Sequence, residues 1–368
     1  MALSDANATE AEHPAEKAAA GVEYSLSNGI VARLANLAIS LAFTSYQSGI
    51  LYFLGRGPAG AHLHQSHLPK PMGICVEPGG GLTLASGAHI VRFQNILAAQ
   101  ERINDAFDAC YAPRTFHLTG DLDLHDVAVD ADNRPIFVNT RFNCLATVSS
   151  KHSFRPVWKP PFISGWLDGD KCHLNGLAMR AGGAAYVTAI SRSNVIDGWR
   201  DRRADGGVVI DVAADAIVCE DLSMPHSPRL HRGELWLLNS GTGELGTVEG
   251  LPQGKGRFSP RAFCPGFLRG LAFYGKYAVV GLSKPRYKRF EGLALDARLT
   301  GADADPWCGV QIIDLETGGC VDWLRIDGAV AELYDVAVIP RVALPMALTP
   351  FSDEAASLIT LEPPAPMA

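Results

Sequence analysis

His125, His173 and His226 are the side chains of this sequence best suited to chemistry near neutral pH, because imidazole titrates there and also ligates metals. His125 and His226 hold matching places in two similar segments, LHDVAVDADNRPIFVN and PHSPRLHRGELWLLNS. His173 stands two residues before Asn175, the matching position of a third, LNGLAMRAGGAAYVTA. Three imidazoles from separate segments would hold a divalent metal such as zinc and leave one position for water. Tyr334 and Asp335, in LYDVAVIP, would assist proton transfer, with Asp126 and Glu332 nearby as further carboxylates. Arg114, Arg141, Arg229, Arg269 and Arg286 fall at the ends of such segments. Of these, Arg141, Arg229 and Arg269 are the candidates for holding a carboxylate or phosphate, since guanidinium binds either with two parallel hydrogen bonds. Asn139 and Asn175 are further candidate contacts. The plainer reading is that asparagines build turns, arginines pair with loop carboxylates, and the Asp residues of DVAVD and YDVAV tie neighbouring elements together.

The elements that would position these groups are set by a repeat. Six segments share a polar or special lead residue, a short small-plus-apolar strand, a turn and a second strand. The lead residues are Met72, His125, Asn175, His226, Arg269 and Tyr334, spaced 43 to 65 residues apart with a mean of about 52. That period, with two adjacent strands in each unit, predicts four-stranded propeller blades. The sixth segment runs into a Pro-rich tail after its first strand. Its remaining strands are expected at the other end of the chain, as ISLAFTSY, GILYFLG and AHLHQSHL between Ile39 and Leu68. The expected fold is therefore an all-β, six-bladed β-propeller, closed by N-terminal strands pairing with the last C-terminal inner strand. Closure of that kind leaves no open edge. Because the first two strands of a blade are antiparallel, inner-strand starts and second-strand ends share one face, and the lead residues should ring one mouth of the channel.

Composition narrows the function classes. The 368 residues are 47% hydrophobic and 19% charged, with a net charge of −7 and no basic block. Nucleic-acid binding, which needs clustered cations, is not expected. The 37 glycines and 23 prolines suit a fold with many turns. No apolar run reaches the roughly 18 residues that span a bilayer, and the N-terminal residues lack a cationic start and apolar stretch. Eight cysteines without a CxxC pair read as reduced thiols, so a cytoplasmic location is expected. Residues 1–22 are expected to be disordered, 23–342 to form a single propeller domain and 343–368 a tail, with a short helix within Ser27–Leu37. No GxSxG, Walker loop, HExxH or GxGxxG motif is present.

The stretches TSYQSG, PMGICV, YAPRTFHLTGDLDLHD, VNTRFNCLA, KPPFIS, DKCHLNGLA, SMPHSPR, LWLLNSGTGELG, CPGFLRGLAF and ELYDVAV carry a resemblance across about residues 35–342. They resemble a bacterial family of conserved hypothetical proteins with a domain of unknown function. The resemblance implies a propeller-like fold and transfers no reaction. From the residues, the expectation is a small-molecule enzyme, a metal-assisted hydrolase or lyase acting on an anionic substrate at the channel mouth. The alternative is a non-catalytic propeller that binds a ligand or protein with the same face.

Overall fold

The computed structural model describes residues 21–251, 254–285 and 290–362. The expected disorder of residues 1–20 and the placement of Arg286 lie outside the described residues. The chain forms six antiparallel blades arranged in a ring, a six-bladed β-propeller. Numbered by their inner strands, blades one to six begin with Pro71–Val76, Leu124–Val129, Leu174–Arg180, Pro225–His231, Phe267–Tyr274 and Val336–Pro340. The last inner strand pairs antiparallel with Ile39–Ser45, from Ile39 opposite Pro340 to Phe43 opposite Val336. Ile50–Gly57 and Gly60–His67 complete that blade.

Two strands extend beyond the predicted pattern. Val22–Leu26 adds a fifth, outer strand to blade five against Cys320–Gly328, so order begins inside the segment expected to be disordered. Pro345–Ala347 runs parallel to Ala109–Leu118 on the outside of blade one, which anchors the start of the tail. Between these additions, Ile30–Leu37 forms the short helix, with Ile30 and Leu34 buried.

The apolar runs within the strands follow from how blades pack. Each blade is covered on both faces by its neighbours, so its middle strands are apolar on both sides, as in Ile39–Ser45 and Ile50–Gly57. In blade six, Leu41, Phe43, Tyr52 and Leu54 face blade five and meet Val279, Val310 and Leu324. The intervening Ala42, Leu51 and Phe53 face blade one and meet Ile74, Leu84 and Phe93. The period of two thus divides one continuous run between two interblade cores.

Near the axis the blades are joined by repeated polar ties. Hydroxyls at the ends of second strands donate to the carbonyl beside or at the next lead residue: Thr44 to Met72 (2.6 Å), Thr140 to Leu174 (2.6 Å), Ser240 to Leu268 (2.7 Å) and Ser283 to Leu333 (3.1 Å). The position after each lead residue is small or acidic: Gly73, Asp126, Gly176, Ser227, Gly270 and Asp335. Crowding explains the glycines. A Cβ on Gly270, whose φ is +79°, would stand 2.6 Å from Val336 N and 2.7 Å from Asp335 Cα, both backbone atoms of the next inner strand. Gly270→Ala is therefore expected to cost about 3 kcal/mol through backbone strain and overpacking, read as a lower urea midpoint with an unchanged slope.

Candidate functional site

The start of the inner strands forms one mouth, and aromatic and charged side chains line it as a contiguous arc. The His173 ring lies 4.7 Å from that of His125, edge to face, and His125 lies 5.6 Å from Tyr334. The Arg269 guanidinium sits 5.4 Å from the Tyr334 ring and 5.2 Å from the Phe267 ring. Phe267 in turn lies 5.6 Å from His226. Trp199, from the loop joining the middle strands of blade three, stacks on His173 at 4.2 Å. That loop and residues 290–299 of blade five meet over this side of the mouth, where Trp199, Met224, Phe267, Phe290, Leu295 and Leu299 form one apolar cluster.

Local structure fixes the imidazoles. His125 Nδ1 is 2.9 Å from the Asp123 carbonyl and 2.8 Å from Thr140 Oγ1, and Thr140 already donates its proton to Leu174. Both neighbours can then only accept, so the ring proton is on Nδ1 and Nε2 is the basic nitrogen. His226 repeats the arrangement, with Nδ1 2.8 Å from the Met224 carbonyl and 3.2 Å from Ser240 Oγ, itself donating to Leu268. His173 differs. Its backbone is left-handed (φ +52°), and Asp170 accepts both its N–H (2.8 Å) and its Nδ1 proton (2.6 Å). A carboxylate behind an imidazole orients it and strengthens Nε2 as a base.

Four buried polar atoms at this mouth have no hydrogen-bond partner: His226 Nε2, Arg269 Nε, Tyr334 Oη and Trp199 Nε1. Burial sets the ionisation of the titratable groups. It pushes His226 well below its ordinary 6.5, helped by the nearby Arg269 charge, and lowers His125 to about 4 against the pull of Asp123. It also raises the Tyr334 phenol well above 10, so all three groups are neutral at pH 7. The Arg269 charge is countered by Glu332, whose Oε2 is 3.2 Å from Nη1 and also accepts from the Tyr46 hydroxyl.

Other expected site residues have different places. Arg141 is half-exposed, in a two-pronged pair with Asp168 (2.6 Å for each bond), and it donates to the Asp121 carbonyl at 3.0 Å. Asn139 caps a turn, accepting from Phe142 N at 3.1 Å. Asn175 accepts from Thr188 (2.7 Å) and donates to the Pro225 carbonyl of blade four (2.9 Å), which makes it an interblade tie. Arg229 lies in the channel against Asp126, with Nη1 2.8 Å from Oδ2, and 3.8 Å from Asp335. The two aspartates are ties as well: Asp126 accepts from Leu177 N and Asp335 from Ile74 N, each at 2.9 Å in the neighbouring blade. Met72 is buried apolar lining.

The metal expectation does not fit this donor set. Although His125, His173 and His226 share the mouth, no three His, Cys, Asp or Glu side chains among the described residues are grouped to hold an ion. Asp170 and Phe290 were not singled out as site residues from sequence. The D-x-x-H spacing of DKCH signals the first, and nothing local signals the second.

Hollows of about 580 Å³, along Leu299, Asp303 and Asp305, and about 450 Å³, along Tyr24, Tyr52 and Val330, are lined by none of the arc residues. Among the described residues no helix is long and apolar enough to cross a membrane. All eight cysteines are unpaired.

Among solved structures, the chain is similar to one in a nidogen/laminin complex, with 12% identity over 82% of this chain and 99% of that one and a TM-score of 0.51. It is also similar to a catalytically inactive virginiamycin B lyase from Staphylococcus aureus with quinupristin (9% identity, 83% and 99% covered, TM-score 0.41). A streptogramin B lyase matches at 9% identity, 78% and 90% covered, with a TM-score of 0.40. At such identities the likeness is one of fold, not chemistry. No curated protein matches the sequence. Residues 28–348 match the model of a domain of unknown function, DUF4915, and the chain belongs to that family.

Proposed function

We propose that this mouth is an acid–base catalytic site acting on a small polar molecule, and that its first step is removal of a proton from the carbon beside a carbonyl-type group, the step of a lyase. The observation that carries this reading is that His226 Nε2, Arg269 Nε and Tyr334 Oη are among the buried, partnerless polar atoms of this mouth. Each costs about 1–3 kcal/mol while unpaired, and a ligand that pairs with them removes that cost. The proton passes from carbon to His173 Nε2, which Asp170 holds in place. The electron pair left behind moves onto the carbonyl oxygen, where Arg269 and Tyr334 stabilise the charge.

Covalent catalysis has less support, because nucleophiles near the mouth are occupied. Ser240 donates to Leu268, and burial raises the Cys172 thiol far above its ordinary range.

Tyr334→Phe tests this reading. If the hydroxyl exists for a ligand, its removal should leave the protein equally stable or up to about 1 kcal/mol more stable. Turnover, followed as deuterium uptake into substrate from D2O, should fall by about 100-fold. A destabilised variant with unchanged deuterium uptake would refute the assignment. Binding without turnover in the unmodified protein would favour a receptor-type propeller using the same face.

A further inference from the structure

The charges and tautomers around the mouth say more about the ligand than its size does, and the following rests on the mouth being the binding site. Among the described residues, the cations at the arc and the channel beneath it each have a carboxylate: Arg269 with Glu332 at 3.2 Å, Arg229 with Asp126 at 2.8 Å, and Lys70 with Asp123 at 3.1 Å. An added anion would face those carboxylates without an uncompensated positive charge to balance it. The unmet needs are of another kind. His226 Nε2 is a buried lone pair waiting for a donor, because its ring proton is held by the Met224 carbonyl. His125 presents the same basic nitrogen. Arg269 Nε–H and the Tyr334 hydroxyl are donors waiting for an oxygen.

We infer that the ligand is an uncharged amide-type molecule, a lactam, ureide or secondary amide, whose N–H donates to the histidine side of the mouth while its C=O accepts from Arg269 and Tyr334. An ester or ketone satisfies the donors and leaves His226 Nε2 orphaned. A carboxylate leaves it orphaned too and adds charge. Buried groups left without partners are what make such sites selective, since the analogue lacking the matching group is rejected strongly. The inference replaces the anionic substrate expected from arginine content, because Arg141, Arg229 and Arg269 are each paired with a carboxylate of the protein.

The test uses the full chain labelled with 15N-histidine and three probes built on a five-membered ring: 2-pyrrolidinone, N-methyl-2-pyrrolidinone and cyclopentanecarboxylate. In the free protein His226 should show the Nδ1–H tautomer. Titration with 2-pyrrolidinone should move its Nε2 resonance, with the N-methyl probe and the carboxylate at least tenfold weaker. His226→Phe should abolish the preference for the N–H probe, and His226→Asn, which keeps polarity, serves if the Phe variant fails to fold. An Nε2–H tautomer in the free protein overturns the inference before any ligand is added. Tightest binding by the carboxylate, sensitive to Arg269→Lys, overturns it while leaving the mouth as the binding site. Probe shifts confined to histidines outside the arc, such as His62 or His152, overturn both.

Discussion

Replacing Arg229 by Met should be the most damaging single change in the channel, with an expected loss of about 3–5 kcal/mol, because it strands buried carboxylates without their cation. Arg229 bonds Asp126 through both terminal nitrogens, at 2.8 and 3.2 Å, and lies 3.8 Å from Asp335. It also donates to the Leu177 and Pro228 carbonyls. Even with Arg229 present, burial and the neighbouring Asp126 charge raise Asp335 well above the ordinary 3.8. A carboxyl raised on folding contributes stability that is full below its unfolded value near pH 4 and is lost as pH rises. Without the guanidinium Asp335 rises further, so the deficit of the variant should be smallest near pH 5 and grow toward pH 8. Melting curves across that range check it, and adding Asp126→Asn should recover part of the loss. A deficit that is small and independent of pH would mean the guanidinium is a passive filler.

Asp170→Asn is expected to have the largest effect on activity. The carboxylate can only accept, so it keeps the His173 ring proton on Nδ1, 2.6 Å away, and Nε2 free as the base. An Asn amide can instead donate to Nδ1, which transfers the ring proton to Nε2 and blocks proton abstraction. Turnover should drop by about 10²–10⁴-fold with KM little changed. Asp170 also accepts the backbone N–H of left-handed His173 at 2.8 Å, a bond an amide oxygen can keep. Stability should therefore fall by no more than about 1 kcal/mol. An equal rise in KM with unchanged kcat would make Asp170 a binding residue.

Titration of the buried imidazoles runs in the opposite sense to that of Asp335. His125 and His226 are held below their ordinary 6.5 by burial. Their contribution is complete above about pH 6.5 and is lost as pH falls and the rings must charge.

Much of the fold was legible because a propeller repeats one short solution six times. In blade three the segment LNGLAMRAGGAAYVTA, read as two strands and a turn, holds Leu174–Arg180 and Gly183–Ala189. The three N-terminal strands stand at Ile39–Ser45, Ile50–Gly57 and Gly60–His67. The outer strand Val22–Leu26 was not legible, since its side chains are mostly exposed and no apolar pattern marks it. His125, His226, Arg269 and Tyr334 could be placed at one mouth because each holds the same repeat position.

By itself the sequence determined which residues lead each blade, because repeat position follows from strand period and turn chemistry, which are local. Only the tertiary structure decided what those residues do. Arg141 and Arg269 carry the same guanidinium, yet one lies on the surface bonded to Asp168 and the other among three aromatic rings beside Glu332. Asn175 and His226 hold equivalent repeat positions, yet the first uses its side chain to join two blades and the second keeps a nitrogen without a partner. The partners that separate these fates, Glu332 for Arg269 and the Pro225 carbonyl for Asn175, come from a loop and a strand distant in sequence that only the packing of blades brings into reach. Hydrogen-bond satisfaction is a property of what surrounds a group in space, and no repeat pattern records it.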